Sequence, residues 1–536
     1  MTFASTTRRH FLQSVAGAAG LAAIDPWSQV RAGNPRHGGT LTVLIDPEPP
    51  VLTTIAHSAG SSVLISAKVN EGLLDYDFDL RPIPQLATEW SISPDGLQYT
   101  FTLRRGVKWH DGKDFTSVDV VFSILTLKEY HPRGRSTFST VAEVRAPDPY
   151  TAVVVLSRPT PYLITAFAAS ESPIVAKHIY ENSKVDQNPA SSAPIGTGPF
   201  VFKEWVRGSH VLFERNPNYW DQPKPFVDRL VIRFLPDPAA RAAAIETGQA
   251  QLAPGNPVPL GDLDRFKALK HLTFETRGYQ YTNNITRVEF NLQRPLFQDL
   301  RVRQAFAHAI DRNALVNIVW YGYGQPVSGP IHPNLKRFYV PDLAVPSFDV
   351  ATANRLLDQA GRPRGADGFR FKVSHDPLPY GDGFKRGGEF IKNALAKIGV
   401  DVTLRTQDFA TYIRRVYTER DFDFTYNMMS NLFDPTVGVQ RLYWSKNFKK
   451  GVPFSNGSGY ANPEVDRLLE AAAIEIDEPK RLAYFADFQR IIARDLPDFG
   501  VLAPDTVTIA DRKVVNHTVS AQGVGGNLAN VFLETP

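Results

Sequence analysis

The stretch PQLATEWSISPDGLQYTFTLRRGVKWHDGKDFTSVDVVFS, residues 84–123, reads by its periodicity as a hairpin followed by a capped helix. Pro94-Asp95-Gly96 is turn chemistry, because glycine tolerates positive φ and aspartate bonds its own backbone. Beyond it Tyr99, Phe101 and Leu103 alternate with Gln98, Thr100, Thr102 and Arg104, the period of a half-buried strand. A hairpin is therefore predicted. His110-Asp111-Gly112 makes a second turn, and Thr116 with Asp119 three residues on opens a helix through Val120, Val121, Ile124 and Leu125 in the manner of a capping box. The His110–Asp111 pair invites a catalytic reading. Adjacent turn residues point apart, however, and such a pair needs a nucleophile within reach, so His110 is expected to be scaffold.

Outward from this stretch the chain alternates strands and helices. GGTLTVLID, 38–46, is a strand stopped by three prolines, and the spacing of Val63, Leu64, Ala67, Val69 and Leu73 predicts a helix over 62–74 ending near Gly72. TAVVVL at 151–156 is a strand. Others follow the glycine-rich PIGTGP, in VLFER and in FVDRLVIRFLPD. PAARAAAIETGQAQLA reads as a helix closed at Gly248, and 301–320 as one helix. Two helices closed by Gly361 and Gly399 each precede a strand, at 369–374 and 400–407. That alternation argues for an α/β lobe between about 280 and 500.

A chain of 536 residues exceeds the ~250–300 at which single cores stop growing, so two or three lobes are expected. Composition is that of a globular protein, 43% hydrophobic and 21% charged. The 59 basic residues barely outnumber the 55 acidic and form no long run, which gives nucleic-acid binding no support. With no cysteine there is no disulfide, no thiolate metal site, no cysteine nucleophile and no lipidated thiol. Residues 1–32 differ from the rest. Thr7-Arg8-Arg9-His10-Phe11-Leu12 precedes a mildly apolar run from Phe11 to Ile24, with Val30-Arg31-Ala32 as a cleavage site. This resembles a bacterial twin-arginine export signal. No second apolar run approaches the ~18–20 residues that cross a bilayer, so a periplasmic mature chain starting near Gly33 is expected.

Seven landmarks in order, GGTLTV, NEGLLDYD, the 84–123 block, PIGTGPFVFKEW, RNPNYWD, DLRVRQAFAHAIDRNAL and GYANPEVDRLLEAA, give the chain a specific likeness. It resembles the family 5 extracytoplasmic solute-binding proteins of ABC importers, a class that includes dipeptide, oligopeptide, nickel and opine binders. The resemblance implies an α/β, two-lobed periplasmic binding protein fold with an inserted third domain and a hinged ligand cleft. Lobe I would comprise 33–68, 184–278 and 505–536, the inserted small domain 69–183, and lobe II 279–504. The chain would cross between lobes near 278 and 505. The small domain would carry none of the transport chemistry. The partners implied are a small-molecule solute and a membrane permease. No catalytic residue, metal or cofactor is implied, and a monomer is expected.

DFDFTYNMMSNLFDPT, 421–436, looks like the family's ligand-contacting strand and loop, closed by Asp434-Pro435. In peptide-binding members the residue three positions before that acidic-Pro pair is an aspartate that pairs with the peptide's α-amino group. Here it is Asn431. An asparagine offers only a dipole, whereas a buried ammonium left without a partner costs about 3–5 kcal/mol. Either Asp434 or Glu289 supplies the carboxylate, or the solute is a neutral or anionic opine-like or peptide-like compound. Met428 and Met429 suit an adaptable pocket or a core. Arg441 and Trp444 are what a cleft uses on a polar organic solute, or else face a helix inward. Tyr279 and Tyr281 lie near the expected lobe crossing. A rival reading is an exported hydrolase, yet the chain has no G-x-S-x-G, H-E-x-x-H or S-x-x-K. Separated carboxylate pairs stay open on that account. A client-binding periplasmic chaperone is a third class, and no histidine cluster favours nickel or haem.

Overall fold

The computed structural model of the chain describes residues 35–534. The leader read in residues 1–32 lies outside them. Three larger sheets organise the rest. In the first, Thr40–Ile45 pairs in parallel with Arg229–Phe234 and Leu252–Ala253, and antiparallel strands complete seven, in the order Leu272–Glu275, Thr508–Asp511, Leu252–Ala253, Thr40–Ile45, Arg229–Phe234, His210–Arg215, Phe200–Val206. A second sheet of six has Asp498–Pro504, Asn284–Phe290 and Phe424–Ser430 adjacent near its centre. Asn284–Phe290 is buried at nearly every position, as a strand covered on both faces must be. The third is a four-stranded antiparallel sheet, Ala87–Ile92, Gln98–Leu103, Thr151–Leu156, Val141–Asp148.

The main chain passes from the first sheet to the second between Glu275 and Asn284, and returns between Pro504 and Thr508. The four-stranded sheet lies wholly between Ile45 and Phe200 of the first. Its apolar face and that of the six-stranded sheet join in one continuous core, while the seven-stranded sheet keeps separate ones. Tyr281 stitches that joint. Its ring stacks on Phe433 at 4.7 Å and tilts against Tyr76, and its hydroxyl donates to the Thr165 carbonyl at 2.6 Å.

The hairpin and capped helix of 84–123 form as their periodicity predicts. Asp119 accepts from the Thr116 amide at 3.0 Å and, with its other oxygen, from the Lys177 amide. His110 donates Nε2–H to the Gly198 carbonyl and accepts at Nδ1 from the Gly196 amide. That pattern requires the neutral ring, and burial pushes its pKa down to about 4. His110 thus pins the hairpin to the PIGTGP loop. Asp111 turns away to His178, so the two do not act together.

Two expectations fail for one physical reason each. The helix predicted over 62–74 stops at Ser66, because its apolar spacing serves two cores: Val69 packs in the seven-stranded lobe and Leu73 in the joint core. Gly72 is a close-approach residue, since a Cβ there would lie 2.3 Å from the Phe167 carbonyl. The single helix of 301–320 is two, Leu300–Ala309 and Arg312–Val319. Asp311 caps the second by accepting from the Ala314 amide.

Candidate functional site

Beyond Phe424–Ser430 the chain turns through a short loop before Asp434 caps the helix Pro435–Gly438. Leu432 adopts positive φ. The loop is tied to the segment joining the first two sheets: the Asn431 amide donates to Asn283 O and the Leu432 amide to Thr282 O, at 2.9 and 2.8 Å. Gly438 fits this turn because its Cα presses on the loop. A Cβ there would fall 1.9 Å from the Asn431 carbonyl oxygen.

The loop forms one wall of a cavity of about 1310 Å³, above the ~300–1,000 Å³ that encloses most small organic ligands. Its walls come from three stretches. Ser58 follows the first strand, residues 132–162 belong to the four-stranded unit, and residues 409–473 belong to the six-stranded lobe. Tyr162, Phe409, Trp444 and Phe454 supply aromatic surface, and Ser136, Thr137, Thr140, Thr160 and Ser430 supply hydroxyls. Arg133, Arg158, Arg414 and Arg441 supply charge.

Of the residues proposed from sequence, the structure brings Arg441 and Trp444 to this cavity. Arg441 donates from Nε to Gly438 O, from Nη1 to Phe454 O and from Nη2 to Ser430 O, at 3.0, 2.9 and 3.2 Å. Burial pushes its pKa down to about 10. Trp444 donates its indole N–H to Glu470 at 2.8 Å, which leaves its ring for the cavity.

The others are placed elsewhere. Asn431 is buried with its amide oxygen accepting from the His332 amide. It fastens a neighbouring loop and is absent from the cavity wall. Asp434 lies in a second, smaller cavity, where it accepts from the Thr436 amide and pairs with Arg481 at 2.7 Å. Glu289 is fully buried and pairs with Arg287 at 2.8 Å. Each of the two carboxylates is thus already paired with an arginine, and neither stands on the wall of the larger cavity. Met429 is core and Met428 packs against it. Tyr279 accepts from the Gly255 amide and bonds Thr508. Tyr281 is the stitch described above.

Arg133, Arg158, Thr137, Thr160 and Tyr162, which the sequence reading did not single out, line this cavity from the four-stranded unit. Nothing local marks them. Arg133 alone carries a hint of burial, for its partner Glu171 is an acid in an otherwise apolar run. Burial pushes the Glu171 carboxyl up, and Arg133 at 2.6 Å more than cancels this, so its pKa is lowered.

The model of bacterial extracellular solute-binding proteins, family 5, matches residues 81–458, most of the chain and every cavity-lining residue except Ser58 and Ala473. The chain belongs to this family. It is an extracytoplasmic solute-binding component of an ABC importer. Among family 5 proteins, the chain is 28% identical to a dipeptide-binding protein of Escherichia coli K12, over 81% of this chain and 83% of that one. A periplasmic binding protein DppA of Helicobacter pylori, solved with the peptide STSA, aligns at 25% identity and TM-score 0.76, covering 93% of this chain and 99% of that. AgaA of A. tumefacien R10, solved with agropinic acid, aligns at 26% identity and TM-score 0.74 with the same coverage. The fold is therefore the α/β, two-lobed architecture expected, with several sheets.

Proposed function

We propose that this family 5 protein captures a peptide-like or opine-like organic solute in the 1310 Å³ cavity and presents it, closed, to a membrane permease. The observation that carries this is the convergence of three chain stretches on one hydroxyl- and guanidinium-lined cleft. The ligands bound in the aligned structures, a peptide and agropinic acid, are of the class such a space holds. We divide the chain as the family likeness suggests: lobe I from 33–68, 184–278 and 505–536, an inserted unit 69–183, and lobe II 279–504. The crossings at 276–283 and 505–507 are then the hinge. The bonds from Thr282 and Asn283 to Leu432 and Asn431 give that hinge a direct grip on the cavity wall, so a seated solute and the bend of the crossing bias each other. No step makes or breaks a bond in the solute, and the protein works as a monomer.

Equilibrium dialysis against the small-molecule fraction of a peptide digest, supplemented with opines, tests this reading. A restricted set of solutes should be retained at one per chain and recovered unchanged. Accumulating products would instead reveal a hydrolase. Export is proposed to follow the twin-arginine route through Arg8 and Arg9, and replacing both with lysine is expected to trap the protein in the cytoplasm. Unchanged delivery to the periplasm would rule that route out.

A further inference from the structure

We infer that the solute is an organic anion, bearing carboxylate and no free ammonium, and that Arg441 with Arg158 selects it. This rests on the solute-binding reading above. Four arginines line the cavity and no aspartate or glutamate does. Two of the four are answered by carboxylates outside the wall, Arg133 by Glu171 and Arg414 by Glu419. The other two have no ion-pair partner among the described residues. Arg158 is exposed at the cavity edge.

Arg441 is the more informative of these two. A guanidinium has five N–H donors. Three are taken by the carbonyls of Gly438, Phe454 and Ser430, one from each nitrogen. That leaves one N–H on each terminal nitrogen without a protein acceptor, donors that a solute carboxylate can take. Main-chain carbonyls satisfy hydrogens without neutralising charge, so the cavity keeps a net positive wall.

Of the acids nearby, Glu470 feels the charge of Arg158 but makes no ion pair with it and already receives the Trp444 indole and Lys446, and Asp434 is bound to Arg481 outside the cavity. A solute ammonium would lose its water beside two guanidiniums that make no ion pair, with no carboxylate on the wall to meet it, a state that is strongly disfavoured. A carboxylate in the same place exchanges water for charge-assisted hydrogen bonds, with Ser430, Thr160 and Thr137 hydroxyls at hand.

The test uses three pools built on one set of random dipeptides: N-acetylated with a free carboxylate, unmodified, and free-amine with a carboxamide terminus. Retention by the full mature protein is measured by dialysis and mass spectrometry. The acetylated acids should be retained at least about tenfold better than the carboxamides and better than the unmodified dipeptides. Arg441→Gln should cut that retention about tenfold and Arg158→Gln about threefold, both narrowing the gap between pools. Arg441 also holds three carbonyls, so its variant can disturb the loop. Arg158 has no such duty, and its variant decides the matter if the other misfolds. Equal or better retention of carboxamides or unmodified dipeptides overturns the inference and leaves solute binding standing. Retention of none of the three pools overturns both.

Discussion

Arg287→Met is expected to lower the folding stability by about 3–5 kcal/mol, the cost of leaving buried carboxylates without their cation. Arg287 lies on the buried strand Asn284–Phe290, with Glu289 two residues on and facing the same way. Its guanidinium reaches Glu289 at 2.8 Å and Asp498 at 2.6 Å, and all three side chains are nearly inaccessible. Asn427 and Tyr443 complete the network, donating to Glu289 and Asp498. Burial pushes the Asp498 pKa up to about 6 while Arg287 opposes it, so removing the cation leaves two acids to be desolvated together. The midpoint of urea unfolding reads the loss. The triple variant Arg287→Met, Glu289→Met, Asp498→Leu should recover most of it, because a buried ionic cluster replaced whole by apolar groups costs little. A single variant within 1 kcal/mol of the parent would show that the network does not hold the centre of this sheet.

Gly438→Ala is expected to abolish solute retention and to cost about 1–3 kcal/mol of stability, the usual range for overpacking. The new methyl would overlap the Asn431 main chain at 1.9 Å from its oxygen and 2.2 Å from its carbonyl carbon. Backbone must move, and that backbone carries Ser430 and Leu432 into the cavity. The same carbonyls and amides hold the crossing segment, so the wall and the proposed hinge are displaced together. Gly208→Ala is a fitting control: its φ is +72°, yet a Cβ there meets nothing within 4 Å. It should destabilise slightly and leave retention intact. Normal retention by Gly438→Ala would mean that the 430–432 loop is not part of the binding site.

Local periodicity carried much of the fold. The 84–123 hairpin and helix, the 151–156 strand and the two glycine-closed helices near 349–400 all lie where alternation, caps and turns put them. What failed did so where one stretch serves two neighbours. Val69 and Leu73 share a helical spacing but face different cores, and Ile310 and Asp311 interrupt a helix that the apolar pattern alone continues. The site was less legible. Arg441 and Trp444 were found because an aromatic–guanidinium cluster after a loop is a local signal. Arg133, Arg158 and Tyr162 reach the same cavity from the other side only through tertiary packing, and nothing in their neighbours' spacing announces it. Asn431 was singled out by family position. Its departure from aspartate removes a carboxylate from the sequence, and its side chain serves the His332 loop.

A small molecule held between three chain stretches is the expected cargo of this protein. Native mass spectrometry of the protein taken from its own cell envelope, with fragmentation of whatever it releases, is the most direct measurement. The predicted result is one non-covalent organic solute per chain, carrying carboxylate and lacking a basic amine, and lost on Gly438→Ala. A protein that is always empty, or one that carries a ladder of free-amine peptides undiminished by that substitution, would contradict it.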